Sequence, residues 1–449
     1  MKKIVLVPLL IVLVGALIFG GCAKPAPPVP TEIRIGACES VTGMFSGFAG
    51  GAVFGLKAAV DDINKLGGVY VEEYGRKLPV KLIVANNESD PSKAGTLASD
   101  LVLRDKVHLL VNGAGPATMF NPQAIIAERH KIPYLAGFGP LEPWQAARQA
   151  ADPPWQYIWA VGFAIATPAP AGDFRAGKPG YTIMDTWFSF MDMFGDQTNK
   201  TIAVLASDEP DGRGWYVTFA PELEKRGYNV IGEEKELGLD PIGTTDFSAN
   251  IKEWKDNNCE VLWGNTPGPD LGTQWRQCHA MGYVPKIVLI GRATLFYEDV
   301  SAWGGDLPQG VGAEGIWGAE YPPESFPGIG DTTPKTLFER WLEETGRPLN
   351  QGIGYAYAAI QVLVDAIERA GTLDGTALNK AIGETDIPSI NGRVVFPPEE
   401  HHCRFPLTMR QWMKTDKPWV WENPVIYSAH DFVRPTAQPM FPIPGTTFK

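Results

Sequence analysis

The sequence predicts an α/β fold built from two parallel sheets, each covered by helices on both faces. Three observations carry this. Apolar segments of strand length alternate with segments of helical spacing, first between residues 33 and 139 and again between 185 and 293. The two series are separated by "FAIATPAPAGDFRAGKPG", whose proline and glycine content reads as a connection. The chain has 449 residues, 44% hydrophobic and 20% charged, which is long enough for two domains with a core each.

In the first series "EIRIGAC" alternates as a strand, and "GGAVFGLKAAVDDINKLGG" is helical with a glycine stop. "LPVKLIVANN" is a strand. "DPSKAGTLASDLVLRD" is a helix with Asp90 as cap and Pro91 at its first position. "VHLLVNGAG", "MFNPQAIIAERHK" and "IPYLAGFG" continue as strand, helix and strand. The second series opens with a helix, "DTWFSFMDMFG", followed by the strand "TIAVLASDE", the helix "GWYVTFAPELEKRG" and the strand "YNVIGEEKEL". "TDFSANIKEWKDNN" is a helix capped by Thr245 or Asp246, and "EVLWGNT", "LGTQWRQCHAMG" and "KIVLIGRA" complete the sheet. Two more helices, "PKTLFERWLEETG" and "GIGYAYAAIQVLVDAIERAG", come late, and "FPLTMRQWMKTDKPWVWENPVIYS" reads as antiparallel strands.

The N-terminus carries Lys2 and Lys3 before an apolar run to Phe19 that ends in Gly20 and Gly21, the pattern of a secretory signal peptide over residues 1–21. The run is marginal for spanning a bilayer, which leaves a signal anchor as the alternative. Its end resembles the lipobox of bacterial lipoproteins, although Phe19 stands where leucine is usual. That resemblance implies lipid on Cys22 and an extracytoplasmic protein anchored at the periplasmic or outer face of a membrane. Residues 22–31, "CAKPAPPVPT", then form a stiff proline-rich tether. The net charge is −12 with no basic run, so nothing recommends a nucleic-acid partner. In an exported chain the remaining cysteines could pair. Cys259 starts an apolar strand and Cys278 ends the next helix, which runs back toward that start. A Cys259–Cys278 bridge is therefore one reading and two buried thiols the other, while Cys38 and Cys403 look unpaired.

Six ordered pieces together resemble the leucine/isoleucine/valine-binding family of periplasmic solute-binding proteins. They are "IRIGACESVTGMFSGFAGGAVFGLKAAVDDINKLGGV", "NNESDPSKAGTLASDLVLRDKVHLLVNGAG", "AERHKIPYLAGFG", "IAVLASDEPDGRGW", "TTDFSANIKEWK" and "GYAYAAIQVLVDAIERAG". The resemblance implies a type I periplasmic-binding fold, with two doubly wound lobes joined by three crossovers and a ligand cleft between them. Lobe 1 would take residues 32–160 and 319–400, and lobe 2 residues 161–318 and 401–449. It also implies service to an ABC importer, with permease subunits in the membrane as partners. The residues independently place a ligand in the same region, beyond the carboxyl ends of parallel strands.

The family's ligand contacts fall here on a changed set of residues. Its first-loop aromatic is matched by Phe48, which could equally pack under the lobes. Its serine after the third strand falls on Ala117, beside Thr118, and its threonine after the next strand on Pro140, beside Phe138 and Gly139. A lobe 2 aromatic becomes Asp211, and a tyrosine falls on Thr266 or Pro267. The acid that pairs with a ligand ammonium falls near Arg292 and Ala293. A cation in place of that acid reverses the preference, since a buried charge needs its opposite. Arg292 could then clamp a carboxylate in a bidentate pair. Asp211 would be its partner, a contact for a ligand amine or hydroxyl, or a helix cap. This favours a small organic acid as solute, with a branched-chain or other amino acid as the alternative.

Other patterns are weaker. Glu399, Glu400, His401, His402 and Cys403 are metal-capable, but alternate residues of a strand point apart, so a polar strand is the better reading. "GAGPAT" lacks the rest of a dinucleotide site, and no pattern calls for a cofactor. No catalytic triad or carboxylate pair presents itself. A binder rather than an enzyme is expected, feeding an importer or, alternatively, a membrane receptor.

Overall fold

The computed structural model describes residues 29–232 and 239–448. The signal segment, Cys22 and most of the tether lie outside the described residues. Among the described residues no helix is long and apolar enough to cross a membrane.

Residues 32–449 form one compact unit containing two large sheets. In lobe 1 the strands are β1 (Ile33–Glu39), β2 (Val80–Asn86), β3 (Leu109–Asn112), β4 (Tyr134–Pro140) and β5 (Ile158–Phe163). In lobe 2 they are β6 (Thr201–Ser207), β7 (Val261–Thr266), β8 (Ile287–Arg292) and β9 (Gly312–Gly315). The tail supplies β10 (His402–Arg404), β11 (Thr408–Gln411) and β12 (Val425–Ser428). The first sheet runs β10-β5-β4-β3-β1-β2 and is parallel throughout. The second continues β6-β7-β8-β9 in parallel and ends in β11 and β12, which are antiparallel as the tail's alternation predicts.

One boundary moves. The sequence assigns the tail from residue 401 to lobe 2, but β10 pairs with β5 in the first sheet, and the chain changes sheet only after Arg404. Arg404 is buried and bonded to Glu400 and to the carbonyl of Pro168, in the segment that follows β5, which holds the strand beside β5. The sequence reading also passes over the helix Leu141–Ala150 and β5, because Pro143, Pro153 and Pro154 interrupt their periodicity.

The helices start where their caps dictate. Asp90 accepts from the amides of Ser92 and Lys93 ahead of α2 (Pro91–Leu103). In the long N-terminal helix, α1 (Ser46–Lys65), glycines allow close packing against the late helix Gly352–Ala370: a Cβ on Gly55 would stand 2.4 Å from the carbonyl oxygen of Ile353. The tryptophans make the lobe 2 core. Trp187 packs edge-on against both Trp215 and Trp263, each at 4.7 Å, and Trp215 stacks on Phe219 at 4.3 Å.

Candidate functional site

The carboxyl ends of both sheets face a single cleft of about 340 Å³, counting its open mouth. From lobe 1 come Phe48 on α1, Pro116 before α3 (Ala117–His130), Phe138 and Pro140 at the end of β4, and Phe163 at the end of β5. From lobe 2 come Asp211 and Trp215 on α4 (Pro210–Lys225), Asn265, Arg292, Leu295 and Glu314. Two cleft residues, Phe138 (φ 62°) and Arg292 (φ 59°), are non-glycine residues in the left-handed region at strand ends. Strain of this kind persists only where surrounding structure imposes it, and both residues here line the cleft.

The lobes meet through aromatic rings. Phe48 lies 5.4 Å from Phe138 and 4.7 Å from Phe296 of lobe 2, and Phe138 lies 5.6 Å from Phe163. Across the same gap the amide of Ala117, first in α3, donates to Asp211 Oδ2 at 3.3 Å.

Arg292 is bound within its own lobe. Its Nε donates to Asn265 Oδ1 at 2.6 Å, and its Nη2 donates to Ser207 Oγ and pairs with Glu209 at 2.9 Å. Only Nη1 lacks a hydrogen-bond partner, with Asp211 Oδ2 at 3.9 Å. The bidentate clamp expected from the sequence is thus occupied internally, and only the Nη1 edge of the guanidinium is left unbonded. Asp211 is not the helix cap. Glu209 is, accepting from the amides of Asp211 and Gly212, and this releases Asp211 toward the cleft.

Three carboxyls set the electrostatics. Burial raises Asp211 to about 7, with repulsion from Glu209 adding to it against Arg292 and the Ala117 amide. Burial also raises Glu314, to about 7. For Glu209, burial pushes upward but is outweighed by Arg292 and its hydrogen bonds, so its carboxyl lies below the usual range. Asp211 Oδ1, Glu314 Oε2 and Thr118 Oγ1 are buried without hydrogen-bond partners.

Four of the eight expected contacts, Phe48, Phe138, Asp211 and Arg292, therefore line the cleft. Ala117 borders it through its amide, and Thr118 lies next to it with its unpartnered hydroxyl. Gly139 does not line it: its backbone packs on Phe120, and its carbonyl meets His402 Nε2 at 3.1 Å. Thr266 ends β7 opposite Arg292, but its neighbour Asn265 lines the cleft in its place. Sequence reasoning missed Trp215, Glu209 and Glu314. Trp215 was findable one helical turn after Asp211, and Glu314 as the lone acid in the apolar run "GVGAEGIWG".

The cysteine bridge is corrected: Cys259 and Cys278 are free, buried thiols. Both pack in the apolar layer that holds Trp254, Trp275 and Tyr283, and there they serve as small hydrophobes. In "PPEEHHCRFP" the side chains are also engaged in packing. His401 stacks on Trp159 at 3.8 Å, and Cys403 lies 3.1 Å from an Arg175 nitrogen. Among the described residues no group of His, Cys, Asp and Glu is placed to hold a metal ion.

Two α/β lobes closing on one cleft of aromatic walls and convergent polar groups define a two-lobed solute-binding protein. The chain belongs to the periplasmic binding protein family, whose model matches residues 32–417. It is 23% identical over 403 residues to a leucine-, isoleucine-, valine-, threonine- and alanine-binding protein of Pseudomonas aeruginosa, covering 90% of this chain and 95% of that one. In fold it is similar to a leucine-binding protein of Thermotoga maritima, with a TM-score of 0.67 and 17% identity over 88% of this chain and 99% of that one. A solute-binding protein of an ABC transporter from Rhodopseudomonas palustris, solved with 3,4-dihydroxybenzoic acid, gives a TM-score of 0.66 and 17% identity over 91% of this chain and 99% of that one. These two structural likenesses speak for the fold alone.

Lobes joined by thin crossovers open and close, and a ligand touching both favours the closed form. Small-angle scattering is expected to give a smaller radius of gyration with bound solute, and an unchanged profile at saturation would count against closure.

Proposed function

We propose that the chain is an extracytoplasmic lipoprotein that captures a small carboxylate-bearing solute by lobe closure and delivers it to an ABC importer. The observation that carries the ligand class is the set of unpartnered atoms around one apolar cleft. Among the side chains that line it, Arg292 Nη1 awaits an acceptor, and Asp211 Oδ1 and Glu314 Oε2 await a donor. Buried polar groups without partners cost about 1–3 kcal/mol each, so a solute supplying both kinds of partner is selected over one that does not. An apolar or aromatic acid with a hydroxyl at its far end meets these needs. The R. palustris protein that binds 3,4-dihydroxybenzoic acid supports this class by analogy.

A second reading, an amino acid, is favoured by the acid excess. Glu209, Asp211 and Glu314 face a single Arg292, so a ligand ammonium would offset charge that the hydroxy acid leaves in place. The P. aeruginosa relative supports this reading. Mass spectrometry of the ligand released by denaturing the purified protein decides between them, backed by a thermal-shift screen of hydroxylated acids and amino acids. A released solute without a carboxylate, and no shift with either class, would overturn both.

Lipid attachment is proposed at Cys22. Cys22→Ala is expected to release the protein from membranes or leave it unprocessed, as seen by detergent partitioning and intact mass. Normal cleavage with unchanged partitioning would refute it.

A further inference from the structure

A second cleft, of about 520 Å³ counting its mouth, is lined by all three crossovers and shares no residue with the solute cleft. Phe174 and Tyr181 come from the first crossover, Phe326 from the second and Pro406 from the third, with Arg393 and Arg404 from the lobe 1 segment before it and Phe432 from the tail. Its walls are ring faces. Phe326 and Phe432 lie 5.4 Å apart, and Phe432 stacks on His430 at 4.8 Å while staying 37% exposed, an unusual exposure for so large a ring. The Arg393 guanidinium lies over Phe174 at 4.9 Å.

The cations here are almost fully matched. Arg175 pairs with Asp173, Arg393 with Asp386 through two bonds of 2.7 Å, and Arg404 with Glu400. One donor is left over. Arg404 is 1% exposed, and its Nε has no hydrogen-bond partner. An unpaired buried guanidinium N–H calls for an acceptor, and the aromatic walls call for a flat apolar body.

We propose that this hinge cleft is a second binding site, for a small aromatic acid whose ring packs against Phe326 and Phe432 and whose carboxylate meets Arg404. The proposal is independent of which solute the main cleft takes. The probe is 2-naphthoate, titrated into the intact purified protein by calorimetry and ligand-observed NMR. Two variants touch only the hinge cleft: Ser325→Trp, an exposed position on its rim, and Phe432→Ala. Unchanged melting temperatures establish that both fold. Expected are binding to the unaltered protein, at least tenfold weaker binding in S325W, and several-fold weaker binding in F432A. 2-Naphthylmethanol, which lacks the carboxylate, is expected to bind at least tenfold more weakly than 2-naphthoate. No binding at millimolar 2-naphthoate, or equal binding in both variants as for a probe in the main cleft only, would overturn the proposal.

Discussion

Arg292→Ala is expected to lower the stability of the folded protein by about 3–5 kcal/mol, as well as weakening solute binding. A solvated cation at the carboxyl end of a strand would be dispensable for folding. In the structure the side chain is 7% exposed and Nη2 is 2.9 Å from Glu209. Removing the guanidinium leaves the Glu209 carboxylate buried without its counter-charge. Asn265 and Ser207 lose their donors as well. Two companion variants identify the cause. Glu209→Gln combined with Arg292→Ala is expected to recover a large part of the loss, because the orphaned charge is then gone. Arg292→Gly is expected to exceed Arg292→Ala by roughly 1 kcal/mol, since φ is 59° at this position and a Cβ is disfavoured there. Denaturant titration reads all three. A single variant that unfolds at the same midpoint as the unaltered protein would show that the Glu209 pair contributes nothing.

The strand and helix alternation was legible because each buried parallel strand is a short apolar run between glycine-rich turns, and each helix has its own period and cap. Asp90 and the antiparallel tail are instances. What was not legible depended on contacts between distant segments. Nothing local to "HHCRF" says that β10 joins β5 more than two hundred residues away, because that pairing depends on Arg404 meeting Glu400 and Pro168. In the cleft, the resemblance singled out Asp211 and Arg292, which the structure brings to one cleft, but could not say which carboxyl Arg292 would bind. Glu209 and Asp211 lie two residues apart, and the choice between cap and cleft follows from which one the α4 amides capture. Glu314 stands out in sequence as a lone acid in an apolar run, but no neighbour in sequence says that β9 carries it into the cleft.

Melting temperature is expected to fall as pH rises from about 6.5 to 8.5, and the carboxyls at and near the cleft are the cause. Burial raises Asp211 from 3.8 to about 7, Glu314 from 4.5 to about 7, and Glu39 from 4.5 to about 8. A group raised on folding holds its proton more tightly in the folded state. Its stabilisation is complete below the unfolded pKa and is lost as pH rises through the folded one. At about 1.4 kcal/mol per unit, these three groups together withdraw on the order of 4 kcal/mol between pH 6.5 and 8.5. Below 6.5 the three carboxyls go on adding stability as pH falls toward their unfolded values. Burial lowers His401 to about 4 and His402 to about 3, so the unfolded chain takes up those two protons first and offsets part of that gain. Glu314→Gln is expected to flatten the alkaline limb, and an unchanged limb would remove Glu314 as a contributor. The same protons report on the solute. An ammonium held by Asp211 and Glu314 favours their ionised forms, so at pH 7 its binding should release about one proton, read by calorimetry in buffers of different ionisation enthalpy. A hydroxyl donor brings no charge and should release far less. Proton release with the identified solute therefore supports the amino acid reading, and its absence supports the hydroxylated acid.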